Sequence, residues 1–395
     1  MGLLQEKLSK YREPQKYMEA GIYPYFREID SHQDTEVTMS GKKVLMFGSN
    51  SYMGLTYDKR IVEAAVNATK KYGTGCAGSR FLNGTLDIHI QLEQELAEFV
   101  GKDEALVFST GFTVNSGVVP CLTGRNDYIL GDDRDHASIV DGRRLSVSTF
   151  FHYKHNDMED LERELKRCRP DAIKLIITDG LFSMEGDLAK LPQIVELKKK
   201  YDAAIMVDEA HGLGVFGRNG RGTCDHFGVT DDVDLIMGTF SKSLASIGGF
   251  IASDHDTINW LRHNSRTYIF SASNTPAATA AALEALHIIK SEPERQENLW
   301  KITNYALKQF KEAGFEIGET ESPIIPLYVR DAAKTFEVTR LAFDRGVFIN
   351  PVIPPACAPQ DTLVRVALMA THTKEQVDTC VSALVDSFKE LGILK

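Results

Sequence analysis

The sequence predicts an α/β fold: a mostly parallel sheet covered by helices, with a smaller α/β domain at the C-terminal end. Three observations predict it. From about residue 60 to residue 255, short apolar runs alternate with helical stretches. The runs end in small or polar residues, as strands do at the ligand-binding edge of an open parallel sheet. At 395 residues, the chain has room for one large α/β unit and a second, smaller domain.

In chain order, residues 1–50 mix helical charge patterning with Tyr23-Pro24-Tyr25-Phe26 and a Gly41-Lys42-Lys43 turn, and they read as an arm feeding a first strand at 44–47. Residues 51–284 read as the large domain, with strands at 105–108, 128–130, 175–178, 204–207, 235–238 and 249–252. Helical periodicity marks 87–100, 191–201 and 276–291. Residues 285–395 read as the small domain, closing on a helix near 374–391.

Composition narrows the function classes. Hydrophobic residues make up 43% and charged residues 25%, with 30 Gly and 13 Pro spread along the chain, which excludes disorder, collagen and repeat stalks. Against 55 acidic residues stand 45 basic ones, and the net charge of -10 repels nucleic acid and anionic lipid. No run approaches the roughly 18 apolar residues of a membrane span, and residues 1–10 lack a signal-peptide core, so the chain is expected in the cytoplasm. The six cysteines form no C-x-x-C pair and read as reduced thiols.

Three motifs mislead if read singly. Asp208-Glu209-Ala210-His211 spells the acidic box of a helicase, but the phosphate loop that such chemistry needs is missing from the sequence. Gly212-Leu213-Gly214-Val215-Phe216-Gly217 matches a dinucleotide fingerprint, yet Arg218-Asn219-Gly220-Arg221-Gly222 follows where a helix should open. Asp132-Asp133-Arg134-Asp135-His136 has no second histidine at ligand spacing, so no metal is expected.

The chemistry sits at two consecutive strand ends. Gly238-Thr239-Phe240-Ser241-Lys242-Ser243 places a lysine among hydroxyls just past a strand. Most lysines are solvated surface groups. Here the hydroxyls suit a phosphate, and Asp208 ends the preceding strand. Pyridoxal 5'-phosphate needs that pair, an amine for its aldehyde and a carboxylate to keep its ring nitrogen protonated. His136 could stack on a flat cofactor, His211 follows Asp208 closely, and Gly111-Phe112 fits a turn into a helix whose N–H groups bind phosphate.

Taken together, the motifs resemble the α-oxoamine synthase family, fold-type I pyridoxal phosphate enzymes that join an amino acid to an acyl-CoA with loss of CO2. The resemblance rests on Ser49-Asn50-Ser51-Tyr52-Met53-Gly54-Leu55, Gly78-Ser79-Arg80 with Asn83-Gly84-Thr85, and Phe182-Ser183-Met184-Glu185-Gly186-Asp187. Asp208 to His211, Gly238 to Ser243 and Ala370-Thr371-His372-Thr373 complete it. The resemblance implies that Lys242 holds the cofactor, Asp208 meets its ring nitrogen and His136 stacks on the ring, with Lys242 and His136 the catalytic pair. It further implies that His211 and Ser183 meet the ring hydroxyl. Thr239, Ser241, Gly111 and Phe112 would hold the phosphate, with Ser271 supplied by the partner subunit of a homodimer whose active sites are shared. Arg365, with Asn50 and Ser51, would bind the amino-acid substrate.

Within the family, the nearest resemblance is to the bacterial branch that condenses L-serine with palmitoyl-CoA, through Tyr23-Pro24-Tyr25-Phe26-Arg27, Gln33-Asp34-Thr35-Glu36-Val37 and Asn350-Pro351-Val352-Ile353-Pro354-Pro355-Ala356. The implied product is 3-ketodihydrosphingosine, the first step of sphingolipid synthesis. A lipid product suggests transient contact with a membrane, yet no basic amphipathic helix marks a docking face. Glycine C-acetyltransferase or 8-amino-7-oxononanoate synthase chemistry would use the same residues. An aminotransferase or an inactive homologue are the readings from further away.

Overall fold

The computed structural model describes residues 2–394. The chain enters its first sheet on an antiparallel pair, β1 (Glu36–Met39) and β2 (Lys42–Met46). Ser40 and Gly41 connect them, both at positive φ, the conformation that matches a two-residue hairpin to the strand twist. Seven strands follow: β3 (Glu104–Phe108), β4 (Tyr128–Asp132), β5 (Thr149–Tyr153), β6 (Lys174–Asp179), β7 (Ala204–Asp208), β8 (Leu235–Thr239) and β9 (Gly249–Ser253). The last four are β10 (Ile324–Tyr328), β11 (Val347–Phe348), β12 (Asn350–Val352) and β13 (Leu363–Ala367).

The seven strands form one sheet in the order β3-β9-β8-β7-β6-β4-β5. The pairs from β5 through β8 are parallel, and β9 runs antiparallel to both its neighbours. This is the mostly parallel sheet the sequence predicts, the arrangement of fold-type I pyridoxal phosphate enzymes. Every residue of β6 and β8 is buried, as expected for strands covered on both faces. Leu106, Ile129, Leu175, Ile177, Met206 and Ile251 join Val114 and Val118 of the helix Gly111–Leu122 in the core of this unit. Each such side chain contributes about 2 kcal/mol when taken from water.

The chain divides into two compact units, and the boundaries differ from the expected 1–50, 51–284 and 285–395. The large unit is Asn50–Lys301 with Met369–Thr371, and the rest of the chain, the N-terminal arm included, makes the small unit. The large unit extends beyond 284 because the helix Pro276–Ser291 packs on the helices Lys59–Tyr72 and Asp87–Val100. Gln296 Nε2 and Trp300 Nε1 then donate to the Val215 carbonyl, each at 2.9 Å. Residues 369–371 belong there because the Ala370 N–H donates to the Tyr52 carbonyl at 2.7 Å.

In the small unit, β1-β2-β11 and β10-β13-β12 form two three-stranded sheets. The arm is tied to the C-terminal segment by pairing of β2 with β11 and by His372, whose ring stacks on Phe47 with centroids 4.2 Å apart. His372 Nε2 meets the Met46 carbonyl at 3.1 Å, and burial lowers its pKa to about 4, so this histidine of the Ala370-Thr371-His372-Thr373 motif is a neutral structural group. Among the described residues, no helix is long and apolar enough to cross a membrane.

Candidate active site

A cavity of about 300 Å³ opens in the large unit at the carboxyl ends of β6, β7 and β8. Its walls include Lys242, Asp208, His211, His136, Thr239, Ser241, Gly111 and Phe112, eight residues that the sequence assigns to one cofactor. Asp179, Asn115's partner Ser138, and Gly248 complete the part of the wall discussed below.

Local structure explains how each arrives. Asp208 ends β7 with its side chain 2% exposed. Its Oδ1 accepts from the Ala210 N–H at 2.9 Å and its Oδ2 from Asn115 Nδ2 at 2.8 Å. The following turn is anchored by Glu209, a buried carboxylate accepting from Thr223 Oγ1 and the Cys224 N–H, each at 2.8 Å. His211 leaves that turn with Nδ1 2.7 Å from Tyr52 Oη.

Lys242 sits in the connection between β8 and β9. The Phe240 N–H donates to the Gly248 carbonyl at 2.9 Å, and Ser243 Oγ to the Leu213 carbonyl at 2.7 Å, which fixes the loop on both sides of the lysine. Gly248 has φ +146°, and a Cβ there would lie 2.4 Å from the Phe240 ring. Only glycine fits that turn.

The phosphate-sized end of the cavity lies at the start of the helix Gly111–Leu122, capped by Thr110 Oγ1 accepting from the Thr113 N–H at 3.1 Å. Thr239 Oγ1 and Ser241 Oγ stand 3.1 Å apart at the same place. A Cβ on Gly111 would lie 2.7 Å from Thr239 Oγ1, so this glycine lets the helix end approach β8. First-turn N–H groups have no partner within a helix and favour anions. A buried carboxylate, a lysine on a fixed loop and a hydroxyl-lined helix end in one cavity fit pyridoxal phosphate.

His136 caps the helix Ala137–Leu145, and its Nδ1 lies 2.7 Å from Ser138 Oγ. Desolvation lowers its pKa, and Lys242 adds to that while Asp208 opposes it. Its backbone N–H donates to Asp179 Oδ2 at 2.7 Å, and the Asp179 N–H donates in turn to Asp135 Oδ1 at 3.2 Å. Burial and the neighbouring Asp208 hold the Asp179 carboxyl well above the usual range.

The other expected site residues lie elsewhere. Ser183 is in the turn after Phe182, outside the cavity wall, and that turn is closed by the Phe182 N–H donating to the Asp187 carbonyl at 3.0 Å. Ser271, expected from a partner subunit, is half-buried in this chain and also outside the wall. Ser51 is buried with Oγ 2.8 Å from Thr56 Oγ1, and the Tyr52 N–H donates to the Asn50 carbonyl at 2.8 Å, so this segment is a tight turn. Arg365 belongs to the small unit, 5% exposed at the centre of β13, opposite Pro326 and Asn350.

Three residues that sequence reasoning missed shape the site: Asn115, Tyr52 and His155. Asp179 carries a sequence signal, being the polar end of an apolar strand. His155 bridges Asp132 Oδ1 at 2.9 Å and Asp187 Oδ2 at 2.8 Å, anchoring the segment that carries Ser183.

A profile of class I and II aminotransferases matches residues 42–384. A serine palmitoyltransferase of Bacteroides thetaiotaomicron is 76% identical over 394 residues, covering 100% of both chains. The chain belongs to the serine palmitoyltransferase family. Its membership extends to a serine palmitoyltransferase of Sphingobacterium spiritivorum, 58% identical over 99% of this chain and 98% of that one. The structure of serine palmitoyltransferase from S. paucimobilis with a bound PLP-myriocin aldimine superposes with a TM-score of 0.96 at 34% identity, covering both chains fully. These findings bear out the α-oxoamine synthase resemblance and the fold drawn from it.

Proposed function

We propose that the chain is a pyridoxal phosphate-dependent acyltransferase that condenses L-serine with palmitoyl-CoA, releasing 3-ketodihydrosphingosine, CoA and CO2. The observation that carries the reading is the convergence of Lys242, Asp208 and His136 on one cavity, in a chain matched end to end by serine palmitoyltransferases. Bound pyridoxal phosphate supplies an electron sink for charge developing at the substrate Cα.

The chain's own residues do the rest. Asp208, buried and held in place by two donors, would be the acceptor for the ring nitrogen. Lys242 Nζ removes the serine Cα proton, acting from a loop fixed at both ends. His136, in the cavity wall, would stack on the flat ring and exclude water from that face. Thr239, Ser241 and the first-turn N–H groups of Gly111 and Phe112 would hold the phosphate, and His211 and, from the turn outside the cavity wall, Ser183 would meet the ring hydroxyl. Arg365 would grip the serine carboxylate by a two-pronged bond, and Asn50 and Ser51 are the other residues assigned to the amino-acid substrate. A carbon–carbon bond forms between the serine Cα and the thioester carbonyl as the C–S bond breaks to release CoA, the carboxylate then departs as CO2, and the electron pair left at that carbon takes up a proton returned by Lys242.

The active unit is a homodimer in the cytoplasm, with Ser271 of each subunit reaching the other's cavity. Leu82 and Phe270 of the large unit, 77% and 73% exposed, support a covering partner there.

The test is release of labelled CO2 from carboxyl-labelled serine or glycine, each with acetyl-CoA and palmitoyl-CoA. Release confined to serine with palmitoyl-CoA supports the reading. Release from glycine with acetyl-CoA instead assigns glycine C-acetyltransferase chemistry, and no release with any pair overturns both.

A further inference from the structure

Asn115 lies in the middle of the helix Gly111–Leu122, completely buried, where a polar side chain is costly unless it is used. Its Nδ2 donates to Asp208 Oδ2 and to Ser138 Oγ, both at 2.8 Å. Ser138 Oγ in turn lies 2.7 Å from His136 Nδ1. One amide therefore links the buried carboxylate to the histidine, two residues that line the same cavity.

The orientation of that amide is determined by what surrounds it. Asn115 Oδ1 is buried with no hydrogen-bond partner. Turning the amide over would set Oδ1 against a carboxylate oxygen and forfeit both donated bonds. The fold thus tolerates an unsatisfied carbonyl to aim both N–H groups. Close helix approach makes the reach feasible: a Cβ on Gly142 of the helix Ala137–Leu145 would lie 2.6 Å from the Asn115 carbonyl oxygen.

We infer that Asn115 is a positioning residue for pyridoxal phosphate, holding Asp208 in place to face the ring nitrogen while fixing His136 through Ser138. The inference rests on the reading of Asp208 given above. Asp208 is also faced by Asp179 at the end of β6, by Lys242 beyond β8 and by His136. These groups remain when Asn115 changes, so a difference between variant and wild type reports the amide.

The experiment is a titration of the purified full-length apoprotein with pyridoxal phosphate, followed by absorbance. Asn115→Leu keeps the branched outline of the side chain and removes both donors. A hydrogen bond to a charged group supports a change of about 10-fold in the cofactor dissociation constant. In an Asp208→Asn background, Asn115→Leu produces no additional weakening.

A merely structural Asn115 would lower the thermal midpoint and leave the dissociation constant unmoved, which overturns the inference. Additive effects in the double variant overturn it as well. If Asn115→Leu does not fold, Asn115→Ser, too short to span both acceptors, carries the same test. Should Asp208→Asn bind the cofactor like wild type, the reading of Asp208 fails and the inference falls with it. Weak binding by Asp208→Asn with normal binding by Asn115→Leu removes the inference alone.

Discussion

Tyr52 Oη stands 2.7 Å from His211 Nδ1, and Tyr52 is completely buried. A hydroxyl at one ring nitrogen fixes the plane of the imidazole and biases which nitrogen carries the proton. The turn at Ser51 thereby shapes the cofactor cavity through the residue that follows it.

Tyr52→Phe keeps the ring and removes this partner. Loss of one neutral hydrogen bond lowers kcat/KM for serine by up to about 10-fold, with the fold intact. Steady-state kinetics beside circular dichroism measure both. A kcat/KM equal to wild type would show that Tyr52 does not act through His211.

Gly111 is the position where the helix end meets β8. The methyl of Gly111→Ala would need the space of Thr239 Oγ1, 2.7 Å away, and would push the helix end from the hydroxyls. Cofactor affinity is expected to fall by about 10-fold, the scale of one charge-assisted hydrogen bond lost. Equilibrium titration of the apoprotein measures it.

His155 ties Asp132 to Asp187 and should make stability depend on pH. Burial opposes its charge, but the hydrogen bonds and charges of the two carboxylates outweigh it and lift its pKa to about 9. The folded pKa exceeds the unfolded value of about 6.5, so the stabilisation is full below that value and is lost as pH rises through about 9. The thermal midpoint of wild type should fall across this window, and His155→Asn should flatten that fall. Equal slopes in the two proteins would contradict the assignment.

Buried Arg80 donates to both oxygens of Glu93, at 2.8 and 2.9 Å, and Glu93 Oε1 also accepts from the Val107 N–H of β3. Arg80→Met leaves the carboxylate unpaired and should cost about 3 kcal/mol in chemical denaturation. Recovery by the double variant Arg80→Met with Glu93→Gln would confirm that the unpaired charge is responsible.

Much of the site was legible in the sequence because parallel strands announce their ends. Asp208 and Lys242 each follow an apolar run, and the topology brings such ends to one edge. Asn115 gave no signal, since a polar residue inside a helix looks alike whether it faces solvent or a buried carboxylate. Tyr52 was hidden by distance, as its partner lies far along the chain. The domain limits were misplaced because the chain passes between units more than once, and neither hydropathy nor composition changes where it does so. The strand β5 (Thr149–Tyr153) was missed for a local reason: at the sheet's edge it is only partly buried and lacks a continuous apolar run.

The central claim is that Lys242 holds pyridoxal phosphate in this cavity. Reduction of the cofactor-loaded protein with borohydride, followed by proteolysis and mass spectrometry, tests it most directly. The account predicts a pyridoxyl group on the peptide containing Lys242 and its loss from Lys242→Ala. A modification placed on another lysine, or an unmodified Lys242 peptide in protein that retains the cofactor, would contradict it.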